Sequence, residues 1–374
     1  MKAFRAYTRP KIRTGWLLAA MVIALGGFAT AHLGGAVEKN PWYDRQLAAA
    51  RRMQASEQVL YDFITQSGIP IEQEDINRTG LIGPEMTVLT TSMGLLEAKR
   101  TSLNPDLAAL MVTLYRQAGL EAGDQVALGI SGSFPGLAIA ALSAATEMGL
   151  EARCIVSYGA STFGATRPEL TVPRMLHILR AEGLVEYQLL AVSPGGDDDA
   201  GGGGLYENTR QVILALAQQE NVPIILEEDL GRSIQHRLAL YGDGVRCFIN
   251  VGGASANMGD GMHSLDFPPG LVLNPPPIPD SPTRGLIYEY AVRGVPVIHL
   301  LNLRKLSLDH GLPFDPVPLP EPGGAAVYYR KARQPALLIG AMLLAIAVLY
   351  LGYREDKARL RVTAPGDAVP IELP

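Results

Sequence analysis

Residues 123–150 read GDQVALGISGSFPGLAIAALSAATEMGL. Val126–Ile130 is an apolar run of strand length, Ser131–Gly136 is a turn of small residues, and Leu137–Met148 is rich in Ala and Leu and stops at Gly149. That order predicts strand, glycine-rich turn and helix, the first half of a βαβ unit. It also delivers unpaired backbone N–H groups to a helix N-terminus, where an anion is welcome.

The same rhythm continues. Apolar runs predict strands at 125–130, 152–158, 187–192, 223–227, 245–251 and 296–301. Helical patterns lie between them at 137–148, 172–181, 206–219, 231–240 and 283–292. Strands alternating with helices at this spacing predict an α/β fold with a doubly wound, mostly parallel, Rossmann-like sheet. Before it, 43–64 reads as an amphipathic stalk or packing helix with Leu47, Met53, Val59, Leu60 and Phe63 on one face. Helices are also expected at 95–99 and 105–118, with Asn104 as N-cap ahead of Pro105. The proline-rich stretch 268–282 reads as a surface excursion.

Both ends of the chain are apolar. Trp16–Leu33 carries no charge and follows Lys2, Arg5, Arg9, Lys11 and Arg13. It reads as a signal anchor or, given Ala29-Thr30-Ala31, a cleavable signal peptide. Pro335–Tyr353 is uncharged throughout and has the length of a membrane span, with tyrosines near its ends. The organisation expected is therefore a basic cytoplasmic N-terminus (1–15), a transmembrane helix or signal anchor (16–35) and a helical stalk or N-terminal subdomain (36–122). An α/β domain (123–312), a proline-rich linker (313–334), a transmembrane helix (335–353) and a cytoplasmic tail (354–374) follow. Lys and Arg outnumber their counterparts on the outer flanks, including Arg354, Lys357, Arg359 and Arg361. This predicts a two-pass inner-membrane protein with both termini cytoplasmic and the central domain extracytoplasmic.

A net charge of -5 and a pI near 5.8 argue against a nucleic-acid binder. Cys154 and Cys247 both fall in predicted strands, where a small buried hydrophobe is the expectation.

In an open parallel sheet, ligands bind beyond the carboxyl ends of the strands. The ends here are rich in small and polar residues: Ser131-Gly132-Ser133, then Gly159-Ala160-Ser161 to Ala165, then Ser193–Gly204 with Gly195, Gly196 and three aspartates. Glu227-Glu228-Asp229 and Asn250–Gly259, with Gly252 and Gly253, complete the set. Ser131, Gly132, Ser133, Ser161, Gly195, Gly196, Gly252 and Gly253 are the candidate anion-binding residues. Asp197 and Asp199 are candidate oxygen ligands for a divalent cation, Mg²⁺ or Ca²⁺. Ser131 or Ser133 is a candidate nucleophile, and His236 and His263 are the histidines considered for acid–base work, with His263 nearest to the fifth turn in sequence.

Several stretches in this order resemble one family, the membrane-associated poly-gamma-glutamate system proteins. They are Thr79-Gly80-Leu81-Ile82-Gly83, Ala98–Pro105 (AKRTSLNP), Gly132-Ser133-Phe134-Pro135, Gly159-Ala160-Ser161 with Gly164-Ala165, Ser193-x-Gly195-Gly196-x-x-Asp199-x-Gly201, and Asn250-Val251-Gly252-Gly253. The resemblance spans most of residues 40–310 and implies a pathway rather than a reaction: an accessory of capsule-type polymer synthesis or export. Its implied partners are the membrane, the synthase or export subunits and the anionic polymer. Arg100 and Arg167 are expected as carboxylate partners near the turns. The alternative expectation is a gamma-glutamyl amide hydrolase or transferase with a serine nucleophile.

Overall fold

A computed structural model describes residues 12–33, 37–201, 206–261, 263–332 and 335–362. The chain divides into two compact units, one built from residues 39–329 and the other from the two flanking segments. Lys2, Arg5, Arg9, Lys11, Gly202–Gly204 and most of the C-terminal tail lie outside the described residues.

The flanking unit holds two helices, Thr14–Leu33 and Pro335–Val362. Both are long and apolar enough to cross a membrane, and residues 16–31 of the first and 335–353 of the second carry no charged side chain. They run antiparallel: Gly27 abuts Ala341, Gly352 abuts Trp16, and Trp16 Nε1 donates to Glu355 at 2.9 Å. The N-terminal end of the first helix therefore lies beside the C-terminal half of the second.

The central unit is mixed α/β. Its strands are β1 (Thr90–Ser92), β2 (Gln125–Ser131), β3 (Glu151–Ser157), β4 (Ala160–Ser161), β5 (Gln188–Ser193), β6 (Cys247–Val251), β7 (Gly270–Val272) and β8 (Val297–Leu300). Its helices are α1 (Tyr43–Gln66), α2 (Leu96–Thr101), α3 (Asp106–Gln117), α4 (Pro135–Met148), α5 (Val172–Ala181), α6 (Thr209–Gln219), α7 (Leu230–Tyr241), α8 (Ser255–Met258), α9 (Leu286–Val292) and α10 (Leu303–Asp309). The main sheet has six strands in the order β5-β3-β2-β6-β8-β7. All neighbours are parallel except β7, which pairs antiparallel with β8. The chain winds outward from β2 through β3 to β5, then restarts at β6 on the other side of β2.

Alternation along each strand decides which face a residue serves. Val126, Leu128 and Ile130 of β2, Cys154 and Val156 of β3, and Cys247, Ile249 and Val251 of β6 join one core with α1, α3, α4 and α5. Ala127, Ile155 and Phe248 point the other way, into a second core with α7 and α9. Both faces are thus covered, which is why the strands read as continuous apolar runs. Both cysteines are free and buried in the first core.

Five local features differ from the sequence pattern. Residues 223–227 make only one isolated bridge, Val192 to Ile224, because Pro223 has no N–H to give a ladder. β1 and β4 form a short parallel pair in stretches that read as loop, and the proline-rich 268–282 contributes the edge strand β7. Helix α3 begins at Asp106, and Asn104 Oδ1 accepts from the Asp106 N–H at 3.0 Å. Residues 313–322, read as a linker, are strapped onto the unit: Arg100 donates to both carboxylate oxygens of Asp315, and Asn77 Nδ2 donates to the Pro316 carbonyl. Beyond the strap, Tyr328 Oη donates to Asp106 Oδ1. Amphipathic α1 packs its Ala49, Ala50, Met53, Leu60 and Ile64 face into the first core.

Candidate functional site

The carboxyl ends of β2, β3, β5 and β6 surround a cavity of about 100 Å³ at the point where the winding reverses. Its walls are Thr91, Ser92, Ser131, Ser133, Ser157, Gly159, Gly195, Gly196, Asp197, Gly253, Ala254 and Ser255. Hydroxyls and glycines dominate; Asp197 is the one charged wall residue. At about 30 Å³ per liquid water, the volume suits a carboxylate or an amide group rather than a nucleotide.

The turns that form these walls hold one another. Ser133 N–H donates to Ser131 Oγ at 3.2 Å, and Ser161 N–H donates to Ser133 Oγ at 3.0 Å. Ser255 Oγ donates to the Gly196 carbonyl at 2.8 Å, tying the β6 turn to the β5 loop. Gly132 is required by close approach: a Cβ there would fall 2.6 Å from the Tyr158 carbonyl oxygen.

Of the residues singled out in the sequence, Ser131, Ser133, Gly195, Gly196, Gly253 and Asp197 line the cavity. Gly132, Ser161 and Gly252 stand immediately behind it, next to lining residues. Asp199 is elsewhere in function. It is 2% exposed, and its carboxylate accepts from Arg237 Nη2 at 2.5 Å, Ser193 Oγ at 2.7 Å and Ser233 Oγ at 2.8 Å. Arg237 is itself fully buried. A carboxylate so occupied is an internal counter-charge, which leaves Asp197 alone among the two proposed cation ligands. Among the described residues no cluster of three His, Cys, Asp or Glu side chains could hold a metal ion.

Arg100 and Arg167 are likewise engaged internally. Arg100 holds Asp315, and Arg167 donates to Glu72 and to the carbonyls of Pro70, Gly80 and Ile82. Neither is a free partner for a ligand carboxylate. His263 lines a different hollow, with Asp260, Pro279, Ser281 and Arg284. His236 is exposed on α7 beside Glu227. Asp229 caps α7 by accepting from the Arg232 N–H at 2.8 Å, which accounts for one acid of the 227–229 run.

One residue at the site was not given a chemical role by its sequence context. Lys99, on α2, is 2% exposed. Its Nζ donates to the Ser133 carbonyl and to Ser161 Oγ, the latter at 2.5 Å, and lies 4.0 Å from the centre of the Phe134 ring. Among the described residues no carboxylate stands within ion-pairing distance of it, and burial brings its pKa down from 10.5 to about 7. The only prior signal was its place in the AKRTSLNP stretch.

A larger groove of about 530 Å³ lies between α5 and α6, lined in part by Arg174, His177, Tyr187 and Glu220. It shares no residue with the strand-end cavity, and Glu220 is already satisfied by Tyr158 Oη and Thr171 Oγ1 at 3.0 Å each. Position at the strand ends, not size, selects the smaller cavity.

Comparison of the chain with family models, curated proteins and solved structures gives no match.

Proposed function

We propose that this chain is a membrane-anchored accessory of poly-gamma-glutamate synthesis or export. Its α/β unit, with a Rossmann-like strand order, binds side-chain carboxylates of the polymer or docks on the synthase complex at the strand-end cavity. The observation that carries this reading is convergence. Four of the six stretches that resemble the family line the cavity, through Ser133, Gly159, Gly195 with Gly196, and Gly253, and a fifth is tied to them by Lys99, which donates to Ser133 and Ser161. The sixth, Thr79–Gly83, supports the others from behind: Gly83 N–H donates to the Phe163 carbonyl, and the Gly80 and Ile82 carbonyls accept from Arg167.

The two apolar helices serve as membrane spans in this reading. Their antiparallel pairing supports both termini on one side, and the flanking Lys and Arg make that side cytoplasmic. The central unit then faces the cell exterior, where a polymer leaves. Asp199, held by Arg237, is not available as a ligand for a bridging divalent cation.

Gly253 offers a clean test. A Cβ added there meets no atom within 4 Å, so Gly253→Leu adds an apolar side chain at the cavity wall without a clash at its Cβ. Full-length protein in detergent is titrated with oligo-gamma-glutamate by calorimetry, with and without EDTA. Wild-type binding that Gly253→Leu weakens at least tenfold, and EDTA leaves alone, supports the reading. Equal binding by both proteins would sink it.

A further inference from the structure

We propose that Lys99 and Ser161 form an acyl-transfer pair, with Ser161 Oγ the nucleophile and Lys99 Nζ its general base, acting on an amide bond of an acidic chain. The substrate class rests on the polymer-binding reading above. The pair itself rests on independent geometry. The amine and the hydroxyl are 2.5 Å apart, both residues are buried, and no carboxylate among the described residues neutralises the amine. The polar atoms hydrogen-bonded to Nζ are the Ser133 carbonyl oxygen and Ser161 Oγ, and the Phe134 ring forms an apolar wall. A lysine needed only as a structural cation is normally paired with an acid; a lysine that must accept a proton has to be desolvated and unpaired. Burial has the effect that such a base requires, leaving a sizeable neutral fraction near pH 7.

The pair stands directly behind the cavity wall, so an acyl group would reach Ser161 Oγ past Ser92 and Ser133. Ser161 sits between two lining residues: Ser92 is its register partner, and Ser133 Oγ accepts its backbone N–H. The residue above the pair is Gly94, where a Cβ would lie 2.8 Å from Ser161 Oγ and 2.9 Å from Lys99 Cε. Only glycine leaves that space.

The reaction balances with water alone. Neutral Lys99 takes the Ser161 hydroxyl proton as Oγ bonds to the amide carbonyl carbon. The C–N bond breaks, and the Lys99 ammonium returns the proton to the departing amine. Water, deprotonated by Lys99, then attacks the ester; the acyl C–Oγ bond breaks and the Lys99 ammonium returns the proton to Oγ, giving a carboxylic acid, free Ser161 and neutral Lys99. An amine in place of that water gives transfer instead of hydrolysis.

The test uses full-length protein in detergent and a fluorophosphonate probe, which reports an activated serine whatever the substrate. Wild type is expected to give one adduct, mapped by peptide mass spectrometry to Ser161. Its rate should fall about tenfold per pH unit below pH 7 and level off above pH 8. Lys99→Met and Lys99→Arg should each label at least a hundredfold more slowly. The wild-type adduct map and pH profile stand even if a variant fails to fold. No adduct at pH 8, an adduct at Ser133 instead, or a rate independent of pH from 6 to 8 would overturn the proposal. Polymer binding without an adduct overturns the pair and leaves the accessory reading intact. An adduct without polymer binding supports the pair and removes the polymer as substrate.

Discussion

Replacing Asp199 by Asn removes one charge and almost no volume. The consequences are set by Arg237, which is 0% exposed and whose ion-pair partner is Asp199. In the variant a guanidinium stays buried without a counter-ion. Breaking a buried pair from one side costs about 3–5 kcal/mol, because the remaining charge keeps its desolvation penalty. Ser193 and Ser233 donate to different oxygens of Asp199, and an amide keeps only one of these as an acceptor, so one hydroxyl bond is lost along with the charge. For a unit of this size, roughly 2–3 °C per kcal/mol predicts a fall in Tm of about 6–15 °C. Scanning calorimetry of full-length protein in detergent reads this directly. The Asp199→Asn/Arg237→Met double variant, which removes both charges, should recover at least half of the loss. Hydrogen exchange supplies the local check: amides of 194–201 should lose protection first, since Asp199 anchors the loop that carries Gly195 and Gly196. A single variant within about 1 kcal/mol of wild type, or a double variant worse than the sum of its parts, would refute the argument that the pair is a mutual counter-charge.

Three further outcomes are expected. Gly94→Ala should fold but push Ser161 Oγ from Lys99, and the fluorophosphonate labelling rate should drop at least tenfold. Lys99 has a folded-state pKa near 7 against 10.5 unfolded, so the unfolded chain binds the extra proton between these values. Stability should therefore rise with pH from 7 to 10, on the order of 4 kcal/mol in all, and Lys99→Met should flatten that slope in pH-dependent urea titrations. His299 is 2% exposed, and burial holds its pKa at about 4. Its neutral ring is retained above pH 6.5; acidification from 6.5 to 4 should cost about 3 kcal/mol, a loss that His299→Gln removes in the same titrations.

Much of the fold was legible because the parallel strands are buried on both faces and so read as uninterrupted apolar runs. Val126–Ile130, Cys154–Val156 and Cys247–Val251 are of this kind, and Gly149 marks the end of α4 with a left-handed cap. What escaped was short or depended on distant pairing. β1 and β4 are too brief to show alternation, and β7 hides among prolines. The site divides in the same way. Turn chemistry drew attention to Ser131, Ser133, Gly195, Gly196 and Gly253, which line one cavity because strand ends in a parallel sheet converge. Thr91 and Ser92 reach the cavity from a stretch with no period. Asp199 looked like its exposed neighbours Asp197 and Asp198, and only the helix carrying Arg237 separates it from them. Lys99 sits beside Arg100 in the chain, yet one is buried against a serine and the other holds Asp315 across the surface. Neither fate is written in local spacing.

Tyr328, just beyond the strap, has a use beyond stability. Asn40 N–H donates to the Tyr328 carbonyl at 2.8 Å, and the Tyr43 and Tyr328 rings meet at 5.7 Å. The α/β unit thus receives and releases the chain at one doorway. Proteins with neighbouring termini tolerate transplantation into surface loops of unrelated hosts. Residues 39–329 are therefore expected to behave as such a cassette, and soluble, folded protein from this segment inserted in a host loop is the result that checks it.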